Sequence, residues 1–577
     1  MRVDAINLVA AIASEATTVE PKHLDGAWPT AFAAAVPRFL ALLDDPDPAV
    51  RRSVAYLAGV GGLDTTTAVA GLRRRLAVEP DRVTRWDLIV SLGAAGADPA
   101  ALRSLAEADE DQQVRLAAAH GLAEAGAGDP VPDVGSLIGA VSDPDSAGWA
   151  ESAWFGPSPT AILQATGRLL RTDPAASAAY AIGLSRHADP DQRVAALADA
   201  ADVLATWRTV TGALVPFLGA QLDADHPEIR FRAAYLLACV DPDAYADRLA
   251  ELAGDDIERD GRRPTTAGDA AVWALARGRD VRSVPGLRHR LLGDRLGFGT
   301  RSEHSGHWRG FWFRLPGIHE VLTALGPVDG LLDAVVTAQH RAVAGPDPSG
   351  AGPDPGLGAV LCQPLGAWGP AADAAVPTLR RLVTSAPERW QATAAAVALG
   401  QIGSGAAEAA AELQALARAG AAEAAVSLWR VTGAARPAVD LVAIGGGGHA
   451  SVRWLAEFGP LAAHRLDEVR PLLASDDEWK RIEAAHALTR IGGVPETAIA
   501  VLTETARPLA DGNLLPVRLA ALRYLAEIAG STHDDQARDI ARAVLAGAER
   551  LRYAGSWRAF DEDEAACAAA RTILGHP

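Results

Sequence analysis

Asp47-Pro48-Ala49-Val50-Arg51-Arg52-Ser53-Val54-Ala55-Tyr56-Leu57 organises the reading of this chain, because it returns in altered form along its length. Asp111 to Leu122 (DQQVRLAAAHGL) repeats it, as do His226-Pro227-Glu228-Ile229-Arg230, Trp479-Lys480-Arg481 with Ala484 and Leu488, and Leu515-Pro516-Val517-Arg518 with Ala521 and Leu525. Weaker copies pair Arg85 with Leu92, Arg193 with Ala196 and Ala395 with Leu399. Successive copies stand roughly 30 to 38 residues apart, or about twice that where one has degenerated, which is the spacing of a two-helix repeat.

Each copy has a physical logic. A turn rich in Asp and Pro supplies a helix N-cap and a proline suited to the first helical turn. The Val, the Ala four residues later and the Leu eight residues later share one helix face, so Leu399 and Leu488 are expected to be core. Small Ala lets a neighbouring helix approach. Gly, often followed by Pro, closes the helix, as at Gly326-Pro327, Gly369-Pro370 and Gly459-Pro460. We take the Val-Arg helix as the first of each pair, with the second best seen in Ala374 to Leu382.

Composition agrees with an array of short helices. The 577 residues exceed what one core can use, and 49% are apolar while only 5% are aromatic, a poor supply for a strand-rich protein of this size. A formal charge of −18 argues against a chain-wide nucleic-acid or anionic-membrane surface. Lys22 and Lys480 are the only lysines, so the arginine excess reads first as coding bias. Cys239, Cys362 and Cys567 are far apart, lie in or beside apolar helical runs and form no CxxC, which points to buried hydrophobes and to neither disulfides nor a cysteine zinc site. No apolar run reaches the roughly 18 to 20 residues that span a bilayer. Ala5 to Ala13 is short and apolar, but Asp4 interrupts it and Arg2 is its only cation, so we expect no secretory leader and a cytoplasmic location.

The repeated D-P-x-x-x-V-R-x-x-A-x-x-A-L pattern resembles the HEAT-repeat superfamily, especially the short bacterial type named after phycobilisome lyases. The resemblance covers nearly the whole chain. It implies an all-α, HEAT-type α-solenoid, a right-handed superhelix of antiparallel helix pairs with first helices outside and second helices lining a concave groove. Family members include scaffolds, lyases, nucleic-acid enzymes and immunity proteins, so the fold alone selects no function. In the di-iron hydroxylases of the superfamily His-Glu dipeptides recur in paired repeats; here His319-Glu320 is the only one. In its DNA glycosylases a basic groove holds duplex, which the overall charge of this chain opposes.

Two stretches break the rhythm. Residues 344–358 (AGPDPSGAGPDPGLG) form a Gly/Pro-rich hinge or loop, and residues 293–317 (GDRLGFGTRSEHSGHWRGFWFRLPG) are a long aromatic and Arg-rich insertion. The expected organisation is an N-terminal repeat half over 1–292, the inserted loop at 293–317, continuing repeats over 318–343, the hinge at 344–358 and a C-terminal repeat half over 359–577.

The insertion is the strongest local signal. Between Arg259 and Arg314 twelve arginines face five acids, inside an acidic chain, together with exposed-type aromatics. Arg with aromatics is the composition of interface hot spots. We assign Arg295, Arg301, His304, His307, Trp308, Arg309, Phe311, Trp312 and Arg314 as candidate partner contacts, against the ordinary reading in which the aromatics staple adjacent repeats and the arginines pair with local acids. His304 and His307 are the only metal candidates, and an H-x-x-H off a helix is weak evidence for an ion. Phe155-Gly156-Pro157 matches Phe458-Gly459-Pro460, so Trp154 and Phe155 are expected to end a repeat helix, while Trp368, Trp390, Trp429, Trp454 and Trp479 are expected to be core or groove wall. Gly445 to His449 lacks the Lys-Ser/Thr of a phosphate loop and reads as a turn.

No catalytic set and no cofactor is expected. The leading expectation is a non-enzymatic scaffold or adaptor that holds a protein or peptide on the concave face and inserted loop, with no membrane or nucleic-acid partner. The alternatives are a lyase-like or metal-dependent enzyme, or an enzyme accessory subunit, handling a small anionic or tetrapyrrole-like ligand, and a nucleic-acid-binding repeat protein.

Overall fold

The computed structural model describes residues 39–60, 65–127, 133–158, 160–254, 265–293, 295–300, 313–344, 356–443, 450–492, 495–528 and 534–575. Among them there is no strand; the only β-type contacts are two isolated bridges, Trp207 with Glu549 and Gly299 with Gly317. The chain is an all-α solenoid of stacked helix pairs, as the repeat pattern implies. It divides into two compact units, residues 1–203 and 204–577.

Within each unit the Val-Arg helices pack on one another in a layer. In the first unit this layer holds α1 (Pro48–Val60), α2 (Arg82–Ala94) and α3 (Gln112–Glu124). In the second it runs through α4 (Pro227–Val240), α5 (Ala267–Arg277), α6 (Ile318–Leu325), α7 (Cys362–Ala367), α8 (Arg389–Ile402), α9 (Ala422–Thr432), α10 (Ala450–Ala456), α11 (Glu478–Ile491), α12 (Pro516–Ile528) and α13 (Arg558–Leu574). Helices of the other layer, such as Pro99–Ala108, Val376–Ser385 and Asp535–Ala546, pack on the Val-Arg helix that follows them. The Val-Arg helix is therefore the second helix of its pair, contrary to the assignment above. Its pattern is strongest because it is enclosed by neighbours in its own layer as well as by its partner, so fewer of its positions are free to vary.

The pattern residues do what their chemistry requires. Asp81, Asp111 and Asp477 accept backbone N–H groups at helix starts. The repeat arginine latches the preceding turn. Arg51 donates to the Asp45 and Pro46 carbonyls at 2.7 and 3.1 Å, Arg230 to those of Ala224 and Asp225 at 2.6 and 3.0 Å, and Arg481 to those of Ser475 and Asp476 at 2.8 and 3.2 Å. Leu399 and Leu488 are buried, as are all three cysteines. Close approach within the layer is literal: a Cβ on Gly93 of α2 would lie 1.8 Å from the Gly121 carbonyl oxygen of α3. The Gly-Pro breaks work by a left-handed glycine, with φ of 85° at Gly326, 58° at Gly369 and 54° at Gly459.

Candidate partner-binding surface

A helix in this layer touches its neighbours on two sides and its partner on a third, which leaves one free face. In the first unit the chain covers that face itself. Residues 143–156, starting with the 3₁₀ turn Pro144–Glu151, run back across α3, α2 and α1 as a strap. Trp149 stacks on Trp86 of α2 with centroids 4.8 Å apart, and its indole N–H donates to Gln113 of α3 at 2.7 Å. Ser152 Oγ and the Ala153 N–H donate to the two carboxylate oxygens of Asp87 at 2.5 and 2.9 Å, and Trp154 Nε1 donates to Ser91 Oγ at 2.9 Å. Trp154 then meets Tyr56 of α1 edge-on, and Phe155 packs on His120 of α3. Burial pushes the Asp87 carboxyl up to about 7, against its two hydrogen bonds, and drives the His120 imidazole down to about 3. Trp154 and Phe155 therefore close a strap and do not end a repeat helix; Phe458 does follow the end of α10, where the chain turns at Gly459.

At the start of the second unit the free face is also occupied. The C-terminal helix α13 returns to α4, so the layer from α4 to α13 closes into a circuit. The clasp is ionic and aromatic. Asp563 is 2% exposed and accepts from Arg208 Nη2 at 2.5 Å, Arg550 Nη1 at 3.0 Å and the Leu551 N–H at 2.9 Å. Arg277 of α5 pairs with Asp561 and Glu564, Arg558 with Glu320 of α6, and Trp557 packs edge-on against Trp273. The Tyr235 phenol of α4 donates to the Arg314 carbonyl at 2.9 Å, lies 2.6 Å from Ser556 Oγ and accepts the Trp557 N–H at 3.0 Å.

Two of the candidate contacts on the insertion, Arg295 and Arg314, lie among the described residues. Arg295 and the buried Arg290 both pair with Asp269, which is fully buried in α5. Phe298 is buried, Phe313 meets Tyr235 and lies under the Arg232 guanidinium at 4.5 Å, and Arg314 enters through its carbonyl. Arg282 is held by Asp280 and Asp247. These described residues staple repeats together. Arg301, His304, His307, Trp308, Arg309, Phe311 and Trp312 lie outside the described residues, as do Gly445 to His449 and most of the expected hinge at 344–358.

Farther along the second unit, surface is left uncovered at α8 to α10. There Arg389, Trp390 and Thr393 of α8, Gly420, Ala422 and Glu423 at the start of α9, and Ser451 and Trp454 of α10 line a cleft of about 320 Å³. Trp390 is 51% exposed, unusual for its size. Trp429 packs on Phe458, Trp368 is buried, and Trp390 and Trp454 line the cleft. In the sequence Trp390 and Trp454 read only as core or groove wall; nothing there joins them into a site, since they stand on different helices 64 residues apart and Trp also fills the second position of α11 at Trp479.

Beyond the cleft, His486 of α11 stacks on Tyr524 of α12 at 3.8 Å and 5°, and its Nε2 lies 2.9 Å from Glu527 Oε2. That contact holds the Glu527 carboxyl below its usual range, helped by Arg490 and Arg453. The Tyr524 hydroxyl donates to buried Glu483 at 2.9 Å, and burial with that carboxylate pushes the phenol up. His319 is buried with its ring against Gly317, and its neighbour Glu320 is taken by Arg558. Among the described residues no three His, Cys, Asp or Glu side chains stand close enough to share a metal ion, and no helix is long and apolar enough to cross a membrane.

No protein-family model and no curated protein matches the chain. Among solved structures it is similar to crystal structures of Kap121p (14% identity, TM-score 0.41, 99% of this chain and 68% of that one) and of importin beta (14%, 0.40, 93% and 77%). It is also similar to Kap121p bound to the SUMO protease Ulp1p (10%, 0.44, 96% and 68%). At these scores the likeness is too distant to assign a partner or an activity.

Proposed function

We propose that the chain is a non-enzymatic scaffold that holds a protein or peptide partner at the cleft on α8 to α10, with the undescribed part of the insertion, Arg301 to Trp312, as a second contact. The observation that carries this is the cleft at Trp390 and Trp454. It is an aromatic surface left uncovered in the second unit, whose layer is covered by the chain's own clasp where it begins. A half-exposed Trp flanked by Arg, Ser and Thr has the anatomy of an interface anchor with a polar rim.

The test is affinity capture with the full-length chain, identification of the captured protein, and reconstitution from purified components. Trp390→Ala with Trp454→Ala is expected to weaken that complex by about 10-fold or more, as truncation of aromatic anchors does, with helical circular dichroism unchanged. Deleting 301–312 leaves the Arg295–Asp269 pair and the Phe313–Tyr235 contact in place and is expected to weaken binding separately. Full-affinity binding by both variants would place the partner elsewhere.

A further inference from the structure

We propose that residues 143–156 are a removable occupant of the α1 to α3 face, an autoinhibitory strap that yields it to a partner segment of the same chemistry: two aromatic side chains five residues apart with a small hydroxyl residue between them. This face shares no residue with the cleft on α8 to α10. It is shaped for the pattern. Trp149 is seated between Trp86 and Gln113 with 1% of its surface exposed, and Gly59 of α1 makes room for the second indole, since a Cβ there would lie 3.2 Å from Trp154 Cζ2. Asp87, Ser91 and Gln113, all fully buried, supply the acceptors for the two indoles and for the Ser152 and Ala153 donors. Buried polar groups aimed at one segment recognise its chemistry, because any segment that fails to match them leaves them unpaired.

Three features make the strap separable from the layer. Among the described residues, every hydrogen bond it makes to α1, α2 or α3 ends on a side chain of the layer, and none joins two backbones. Its ion pairs, Arg82 with Asp145 at 2.8 Å and Arg52 with Glu151 at 3.4 Å, leave the strap's carboxylates more than half exposed, where such pairs contribute least. The helices beneath are complete without it, because α1 to α3 keep their layer neighbours and their partner helices. Asp87 sets the condition for release. Burial pushes its carboxyl up to about 7, and the nearest charges oppose each other: Arg52, paired with both Asp81 and Glu151, and Asp81 itself. His120 of α3, under Phe155, is driven down to about 3 and is uncharged. With the strap away, the Asp87 carboxyl meets water and returns toward about 4. Opening therefore releases a proton, and it grows about 10-fold from pH 5.5 to 7 before levelling off.

Release is tested by hydrogen exchange of the unaltered full-length chain, read by mass spectrometry from pH 5.5 to 8 and corrected for intrinsic rates. The amides of Ser152, Ala153 and Trp154 are hydrogen-bonded within the strap or to Asp87. They are expected to exchange at least about 10-fold faster than those of α2 and α3, and to gain about 10-fold more on them from pH 5.5 to 7. Asp87→Asn is expected to abolish that gain. Strap and layer amides exchanging in step, as one core does, would overturn the release. The occupant is tested with a fluorescein-labelled, end-blocked peptide of residues 143–156 and a control peptide with Ala for both Trp. Gly148→Val loosens the strap without removing any group of the face, because a Cβ at Gly148 already lies 2.9 Å from Trp86 Cζ3. In fluorescence anisotropy this variant is expected to bind the Trp peptide at least about 10-fold more tightly than the parent chain and to ignore the control. Equal binding of both peptides, or no binding by a variant whose strap amides exchange freely, would overturn the docking site. A variant that dimerises in light scattering would assign the face to the strap of a second copy and overturn the separate partner.

Discussion

At the scale of single residues, the arginine of the repeat pattern is a structural latch. Its position is set because a guanidinium one turn into the helix can reach back to two carbonyls of the turn that the helix has just left, satisfying acceptors that would otherwise face only water. Arg481→Met keeps the aliphatic stem and removes the donors. It is expected to cost about 1 to 3 kcal/mol in chemical denaturation, the range for hydrogen bonds from a charged group. A change within about 0.5 kcal/mol, the level of an ordinary surface substitution, would make the latch incidental. The arginine count of the sequence therefore misleads as a sign of anion binding. Arg277, Arg282, Arg290 and Arg295, which make the charge reversal conspicuous, are all spent on acids of the same chain.

At the scale of elements, the Val-Arg helices were legible because four constraints act on them together: a cap, a latch, a small-residue contact and a leucine core position. The strap was not legible, because Trp149, Ser152, Trp154 and Phe155 obey no period; each is placed by a partner 35 to 65 residues earlier in the chain. Its anchor makes a pH prediction. Asp87 titrates near 7 in the folded state and near 4 when unfolded, so the folded state holds the extra proton between those values and loses stability as pH rises through the window. His120 acts in the opposite sense. Its folded value near 3 lies below the unfolded one near 6.5, so its contribution to stability grows as pH rises from 3 to 6.5. Asp87→Asn removes only the first effect. The melting temperature of the variant relative to the parent is expected to rise steadily from pH 4 to pH 7.5 in calorimetry, and a pH-independent offset would mean that Asp87 is ionised throughout.

At the scale of the whole molecule, a repeat array normally has two free ends, and its stability is a sum of local terms between neighbours. The second unit departs from that arrangement, since α13 meets α4 and the bonds of Arg208, Arg277 and Arg550 join residues more than 280 positions apart in several places. No pairwise sequence signal could announce this closure; the Arg-rich stretch and the acidic run Asp561-Glu562-Asp563-Glu564 each look like ordinary surface charge until they face each other. Closure couples the ends of the unit. Asp563→Asn leaves Arg208 and Arg550 in a largely buried site without the carboxylate that holds both, and is expected to cost about 3 to 5 kcal/mol. Its signature in hydrogen exchange is faster opening of the amides of α13 together with those of Leu204 to Val240, far away in sequence. Asp561→Asn, at a more exposed pair, is expected to cost under about 1 kcal/mol and serves as the control. Faster exchange confined to α13 would show a helix docked at one end of an open array, whereas coupled exchange at both ends is what a closed circuit requires.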